Sequence, residues 1–425
     1  MLTLFLISLF GFILLSVPIA FALVLTSLVL ATFINQVSAP LLIQNIVRGI
    51  DSFPLLAIPF FLLAGEIMNT GGISRRIVVF ARALIGHIKG GLGYVNVLAS
   101  MLFAGVSGSA VADTASIGAM LIPIMEEEGL EKEASAAITI SSSVIGPIIP
   151  PSIPMIIFGV IGNVSIVRLF LGGIIPGVLI GIGLMIGWYF HCRKRNYRAE
   201  GRFSLLGVFK AFFDAFWAMV LPGIILGGII FGVFTPTEAG VVAVVYAFFV
   251  SLFIYKELKL KDLPRLFVAT ARNTAIVMLV CGSALAAGYY ITIAQIPAML
   301  SETLLALAGD NKYILMLVIN ILLLLVGCVL DLTPALLIMG PMLLPIVTKF
   351  GIDPVYFGCV MVVNLCIGLI TPPVGNVLYV GCSISKLTVA QLAKAVAPYI
   401  LIEVAVLFII TYVPGAITFI PSLLK

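Results

Sequence analysis

Apolar residues fill long blocks of this chain, and the blocks are interrupted by glycine, proline, serine and threonine more than by charge. A helix needs about 20 apolar residues to cross a bilayer. The stretches 168–190, 211–234, 238–255, 273–291 and 395–415 meet that need, and 2–33 predicts one or two further spans. Two other blocks, 93–125 and 312–348, are split near their middles by SGSAVADTASIG and by VGCVLDLTP. Each half of the first holds about 15 residues, or roughly 20 Å of helix, too short to cross. Both blocks therefore predict re-entrant hairpins, with tips at 107–113 and 330–334. The blocks 134–160 and 355–382 predict helices broken at SSSVIGPIIPPS and CIGLITPPVGN. The amphipathic ISRRIVVFARALIGHIK (73–89) and the segment 297–308 predict interfacial arm helices.

The chain also repeats itself. Residues 117–159 match 338–381 at a displacement of 222, so that Gly118, Met120, Leu121, Pro123, Gly129, Gly146, Pro150, Pro151 and Gly159 fall on Gly340, Met342, Leu343, Pro345, Gly351, Gly368, Pro372, Pro373 and Gly381. A duplicated pair of Gly/Pro-interrupted hydrophobic segments points to a transporter whose site lies at the repeat interface. The division expected is 1–53 for N-terminal scaffold spans and 54–192 for the first repeat. Linkers and two scaffold spans then occupy 193–272, and the second repeat 273–425.

Composition agrees. Of 425 residues 62% are hydrophobic and 10% charged, and the mean hydropathy is +1.27, which excludes a water-soluble globule. The length leaves room for roughly ten to twelve membrane segments, short ones included. The stretch 2–33 lacks the basic start of a signal peptide, so its spans are retained. The six cysteines form no CxxC and read as buried, reduced and structural.

Charge orients the chain. Arg193, Lys194, Arg195, Arg198, Arg202 and Lys210 stand against Glu200, and 256–272 is also net basic, so both segments belong in the cytoplasm. The two spans between them return the chain to the same side. Counting outwards puts the acidic loop EEEGLEKE and the first hairpin's entry inside, and the second hairpin's entry outside. The repeats are thus inverted, and the fold class expected is an all-α polytopic membrane protein with inverted-topology repeats, two re-entrant hairpins and two broken helices.

Backbone that leaves the helix at membrane depth must be buried in protein or line a cavity. Each proline pair removes two N–H donors and frees carbonyls upstream. Such carbonyls with Ser and Thr hydroxyls make an oxygen cage for a small hard cation, while helix N-termini facing the same gap attract an anion. That combination describes a cation-coupled carrier of an organic acid. Ser109, Asp113, Thr114, Ser152, Thr333 and Asn376 are the candidate substrate contacts, because they are polar and flank the gap. Asp113 and Asp331 read equally well as helix caps; Glu66 and Glu403 read as having structural partners, and Glu238 as a cap.

SGSAVADTASIG, GPIIPPS, FTPTEAG (234–240), LDLTP and GLITPPVGNVL together resemble the large membrane subunit of tripartite ATP-independent periplasmic (TRAP) transporters, over essentially the whole chain. The resemblance implies a bacterial inner-membrane carrier of the elevator-type ion-transporter fold, coupled to sodium and working by an elevator mechanism. It also implies two partners, a small four-helix membrane subunit and a periplasmic substrate-binding protein. Since a hydrophobic span starts directly after Met1, the small subunit is expected as a separate chain. By position, the family's first sodium site falls on Ser107, Gly146, Ile149 and Pro151, and its second on Gly327, Gly368, Thr371 and Val374. The motifs look closest to permeases for sugar acids such as sialic acid, with C4-dicarboxylates next. In the mechanism expected, the hairpins and broken helices move as one body against a scaffold of the outer helices.

No GxxxxGK[ST] loop is present, so the chain is not an ATP-driven motor. His87 and His191, at predicted membrane edges, give Ser107 or Ser109 no base, which argues against an intramembrane enzyme. Basic residues flank spans and do not suggest nucleic acid. A re-entrant-loop channel and a stand-alone sodium/anion symporter are the alternatives.

Overall fold

A computed structural model describes residues 1–195, 197, 203–309 and 311–423, and for Val106 and Ser107 the backbone alone. Arg198, Glu200 and Arg202 of the basic run lie outside the described residues. Every regular element among the described residues is helical. Among the described residues seven helices are long and apolar enough to span: Phe53–Thr70, Ile166–Arg195, Leu205–Ile230, Pro236–Ile254, Leu260–Ile293, Leu332–Lys349 and Val389–Tyr412.

The interruptions seen in the sequence are interruptions of helix. The first hairpin runs through Gly91–Ser107, a tip at Gly108 and Ser109, Ala110–Asp113, a π-helical turn Thr114–Gly118, and Ala119–Glu127. The second runs through Lys312–Gly327 and Leu332–Lys349. The broken helices are Lys132–Ser143 with Ile153–Ile161 and Pro354–Gly368 with Asn376–Ser385. In both breaks the proline–proline bond is cis. Gly108 ends the first hairpin helix at φ +60°, and a Cβ there would stand 2.9 Å from the Pro151 carbonyl oxygen, so glycine lets the tip approach the break. The N-terminal stretch forms two helices, Leu2–Leu14 and Ile19–Phe33, parted at Ser16 (φ 61°) and Pro18. A third helix, Ala39–Ile50, starts at its Ser38 cap.

Contacts divide the helices into two bodies. One holds the N-terminal helices with Phe53–Thr70, Leu205–Ile230, Pro236–Ile254 and Leu260–Ile293. The other holds the hairpins and broken helices together with Ile166–Arg195 and Val389–Tyr412. Small residues seat Ile166–Arg195 there: Gly173 and Gly177 face Ile148, Ile149 and Met155 at the first break, and Gly172 faces Cys359 of the second broken helix.

The first arm helix, Ile73–Ile85, is tied to both bodies. Near its start Arg75 and Arg76 donate to Glu257 at 2.6 and 2.8 Å, and the Arg76 guanidinium lies 3.7 Å from the Tyr255 ring centre. Near its end Arg82 pairs with Glu128, beyond the first hairpin. Arg195–Glu131 (3.1 Å) gathers at the same end of the molecule, which is the end the charge rule puts in the cytoplasm. Arg168–Asp353 (3.5 Å) sits at the other end of Ile166–Arg195.

Buried amides pin each hairpin to its broken helix. Ser142 donates to Asn96 at 3.1 Å in the first repeat, and Asn364 donates to the Asn320 side chain at 3.0 Å in the second. Asn320 also donates to Thr411 at 3.0 Å. Removing one partner of a buried hydrogen bond costs about 1–3 kcal/mol. Asn320→Leu is therefore expected to lower the melting temperature of the purified protein in detergent by several degrees, and Gly223→Ala, whose Cβ would meet nothing within 4 Å, to leave it unchanged.

Candidate transport site

Both hairpin tips and both breaks converge on a cavity of about 420 Å³ between the two bodies. The first repeat contributes Gly108 to Ala112 of its tip, with Pro147, Ile153 and Pro154 of its break. The second contributes Asp331, Leu332, Thr333 and Leu369. The opposite wall is scaffold: Glu66 and Asn69 of Phe53–Thr70, and Asn273 with Ile276 of Leu260–Ile293. Cavities of about 560 and 910 Å³ open elsewhere, but neither touches a tip or a break.

Each tip is docked on the break of its own repeat. Val374 donates its N–H to the Cys328 carbonyl at 3.1 Å, and Asn376 donates to the Asp331 carboxylate at 2.9 Å. Ser109 and Asp331, 222 positions apart, are the N-caps of the returning hairpin helices. Ser109 accepts from the Ala112 N–H at 3.4 Å. Beyond the second break Gly375, at φ +51°, opens the helix Asn376–Ser385.

The proline pairs leave oxygens without donors. Among the described residues the carbonyls of Gly146, Ile149 and Pro151 accept no hydrogen bond, and neither do those of Gly327, Thr371 and Val374. The Gly368 carbonyl accepts from the Thr371 N–H at 3.1 Å. The Thr371 hydroxyl donates to the Ile367 carbonyl at 2.7 Å, which keeps its own lone pairs available. The described residues hold no group of three or more His, Cys, Asp or Glu suited to a metal ion. The oxygens gathered at both breaks are backbone carbonyls and a hydroxyl, hard donors that fit an alkali cation, with the Asp113 and Asp331 carboxylates beside them.

Of the six substrate candidates, Ser109 and Thr333 line the cavity. Asn376 reaches it only through Asp331. Thr114 is buried and donates to Ser143 at 2.7 Å, and Ser152 is buried, donating to the Pro147 carbonyl and capping the helix at Met155. Asp113 is buried with its carboxylate against Gly146, where a Cβ would collide with it. The Ser107 side chain lies outside the described residues. Glu66, expected to have a structural partner, faces the cavity. Glu403, read the same way, is fully buried and neither oxygen has a partner among the described residues. Glu238 does cap its helix, in a box with Thr235. Asp331, Asn69 and Asn273 were not among the candidates, and only the first carried a signal, as an acid beside a tip.

The DctM-component model of the tripartite ATP-independent periplasmic transporters matches residues 6–416. The chain belongs to that family. It is 48% identical over 413 residues to a putative TRAP transporter large permease of Haemophilus influenzae, covering 97% of each chain. It is 44% identical to the 2,3-diketo-L-gulonate TRAP transporter large permease of Escherichia coli, again covering 97% of each. The sialic acid TRAP transporter large permease of Vibrio cholerae is 39% identical, with 97% of this chain and 96% of that one covered. Among solved structures the YdaH transporter of Alcanivorax borkumensis shares the fold, with a TM-score of 0.61 at 14% identity over 88% of this chain and 86% of the other. A TRAP large permease of this kind is a multi-pass protein of the bacterial inner membrane.

Proposed function

We propose that this TRAP permease imports a small organic acid together with sodium, by movement of the hairpin-bearing body past the scaffold. The substrate is a sugar acid, such as sialic acid, or a C4-dicarboxylate. A periplasmic binding protein delivers it, and a small four-helix membrane subunit completes the assembly. The observation that carries the reading is the cavity itself, walled by both tips, both breaks and the scaffold, with carbonyls at both breaks that accept no hydrogen bond among the described residues. Gly146, Ile149 and Pro151 with Ser107 would hold one sodium ion, and Gly327, Gly368, Thr371 and Val374 a second. Cations beside a carboxylate lower the cost of carrying it through a low-dielectric barrier. Among the curated relatives named for a substrate, three are named for 2,3-diketo-L-gulonate or sialic acid, and others for isethionate and C4-dicarboxylate.

The test is uptake into proteoliposomes containing the permease, its small subunit and its binding protein. Uptake of the acid is expected with an inward sodium gradient and none when potassium replaces sodium. Thr371→Val keeps the side-chain volume and removes one oxygen. A hydrogen bond or oxygen contact to a charged group is worth about 1.5–3 kcal/mol, so half-maximal uptake should need roughly tenfold more sodium. Equal uptake in potassium would refute the coupling, and a sustained current without the binding protein would favour the channel alternative.

A further inference from the structure

The cavity of about 910 Å³ lies at the charged end of the hairpin-bearing body, between the ends of Ile166–Arg195 and Val389–Tyr412 and the start of Lys132–Ser143. We infer that it holds an anionic phospholipid of the inner leaflet, with its phosphate at the basic mouth and an acyl chain along the helices.

Polarity is sorted along the axis of the cavity. At the mouth stand Lys194, Arg195 and Lys394 with Glu131, Glu133 and Gln391; deeper in stand Gly187, Phe190, Pro398 and Ile402. From Lys194 to Gly187 is about 10 Å of helix, the distance over which a lipid passes from headgroup to hydrocarbon. A soluble anion would use the mouth and leave the apolar slot without a ligand. Phe190, 62% exposed, gives that slot an edge open to the bilayer.

The mouth is anion-seeking despite its two acids. Glu131 is neutralised by Arg195 at 3.1 Å, which leaves Lys194 and Lys394 against Glu133. Two helices also begin there, Lys132–Ser143 and Val389–Tyr412; Thr388 takes the Gln391 N–H of the second, and the remaining first-turn N–H groups give partial positive charge. Two buried polar atoms on the wall have no hydrogen-bond partner among the described residues: the Tyr399 hydroxyl, on a side chain 4% exposed, and the Nε2 of His191. A phosphate or glycerol oxygen would satisfy them. Basic pockets between spans on the cytoplasmic side bind such headgroups.

The experiment measures lipid binding to the purified, delipidated permease by native mass spectrometry. Tetraoleoyl cardiolipin, dioleoyl phosphatidylglycerol and dioleoyl phosphatidylcholine are the lipid probes, and glycerol 3-phosphate and inorganic phosphate the soluble ones. The anionic lipids should be retained, phosphatidylcholine lost, and neither soluble anion should compete. Near a membrane surface a lysine is worth about 1 kcal/mol to an anionic lipid, so Lys194→Gln with Lys394→Gln should weaken cardiolipin binding roughly thirtyfold. Both side chains are exposed, so the fold is not at risk, and Lys256→Gln with Lys261→Gln is the matched control with no effect. Unchanged affinity in the Lys194/Lys394 pair, equal retention of phosphatidylcholine, or competition by free phosphate would each overturn the assignment.

Discussion

Gly368→Ala is expected to remove most sodium-driven uptake while Gly223→Ala and Gly227→Ala leave it intact. A Cβ at 368 would stand 2.5 Å from the carbonyl carbon of Gly327 and 2.6 Å from both its Cα and its oxygen. Those are backbone atoms of the second hairpin, and no rotamer change can move them. The tip must therefore back away from the break, carrying with it the Gly327 carbonyl proposed for the second sodium site. Overpacking of this kind costs about 1–3 kcal/mol. If that falls on the ion-loaded state, sodium affinity drops roughly tenfold to a hundredfold. At the equivalent Gly146 the new methyl meets the Asp113 carboxylate, a side chain and not backbone, so Gly146→Ala should be the milder variant. For Gly223 and Gly227 nothing lies within 4 Å. Full transport by Gly368→Ala, with its sodium dependence unchanged, would falsify the claim that tip and break form one cage.

The breaks were legible because proline cannot donate an N–H and glycine tolerates positive φ, and both facts act within a few residues. The tips were legible for a related reason, since a polar stretch interrupts an apolar block; in the first block it leaves two halves too short to cross, while in the second Leu332–Lys349 is long and apolar enough to span. Side-chain direction was harder. Thr114 and Ser152 are polar and flank the gap, yet both are spent on hydrogen bonds inside the body. For Ser152 a local sign existed, because Ser followed by Ile-Pro is an N-cap with proline in the first turn. For Thr114 there was none, since its partner Ser143 is 29 residues away and a π-helical turn rotates the side chain off the α-helical register. Glu66 shows the same limit. One acid on an apolar helix announces a function or a partner, but which way it faces depends on a helix brought in from the other repeat. The helix Ala39–Ile50 went unread because its twelve residues, interrupted by Gln44, Asn45 and Arg48, are too few to span; Ser38 before Pro40 was a local sign of its start.

A disulfide across the two bodies is expected to stop transport reversibly. Asn69, on the scaffold helix Phe53–Thr70, accepts from Ser116 in the π-helical turn of the first hairpin at 2.8 Å. It also accepts from Ser74, at the start of the arm, at 2.7 Å. One side chain thus joins scaffold, arm and hairpin, and its bond to Ser116 must break whenever the body slides along the scaffold. Asn69→Cys with Ser116→Cys, on a background freed of the six native cysteines, places two thiols at that contact. Oxidation should then reduce uptake to the level of empty liposomes, and a reductant should restore it, while neither single cysteine responds. The bond would leave both breaks, both tips and the sodium oxygens untouched, so binding of sodium should survive even as transport ceases. That separation is what distinguishes a moving body from a fixed pore with the same lining. In a fixed pore nothing at Asn69 needs to move, and uptake would continue with the disulfide formed.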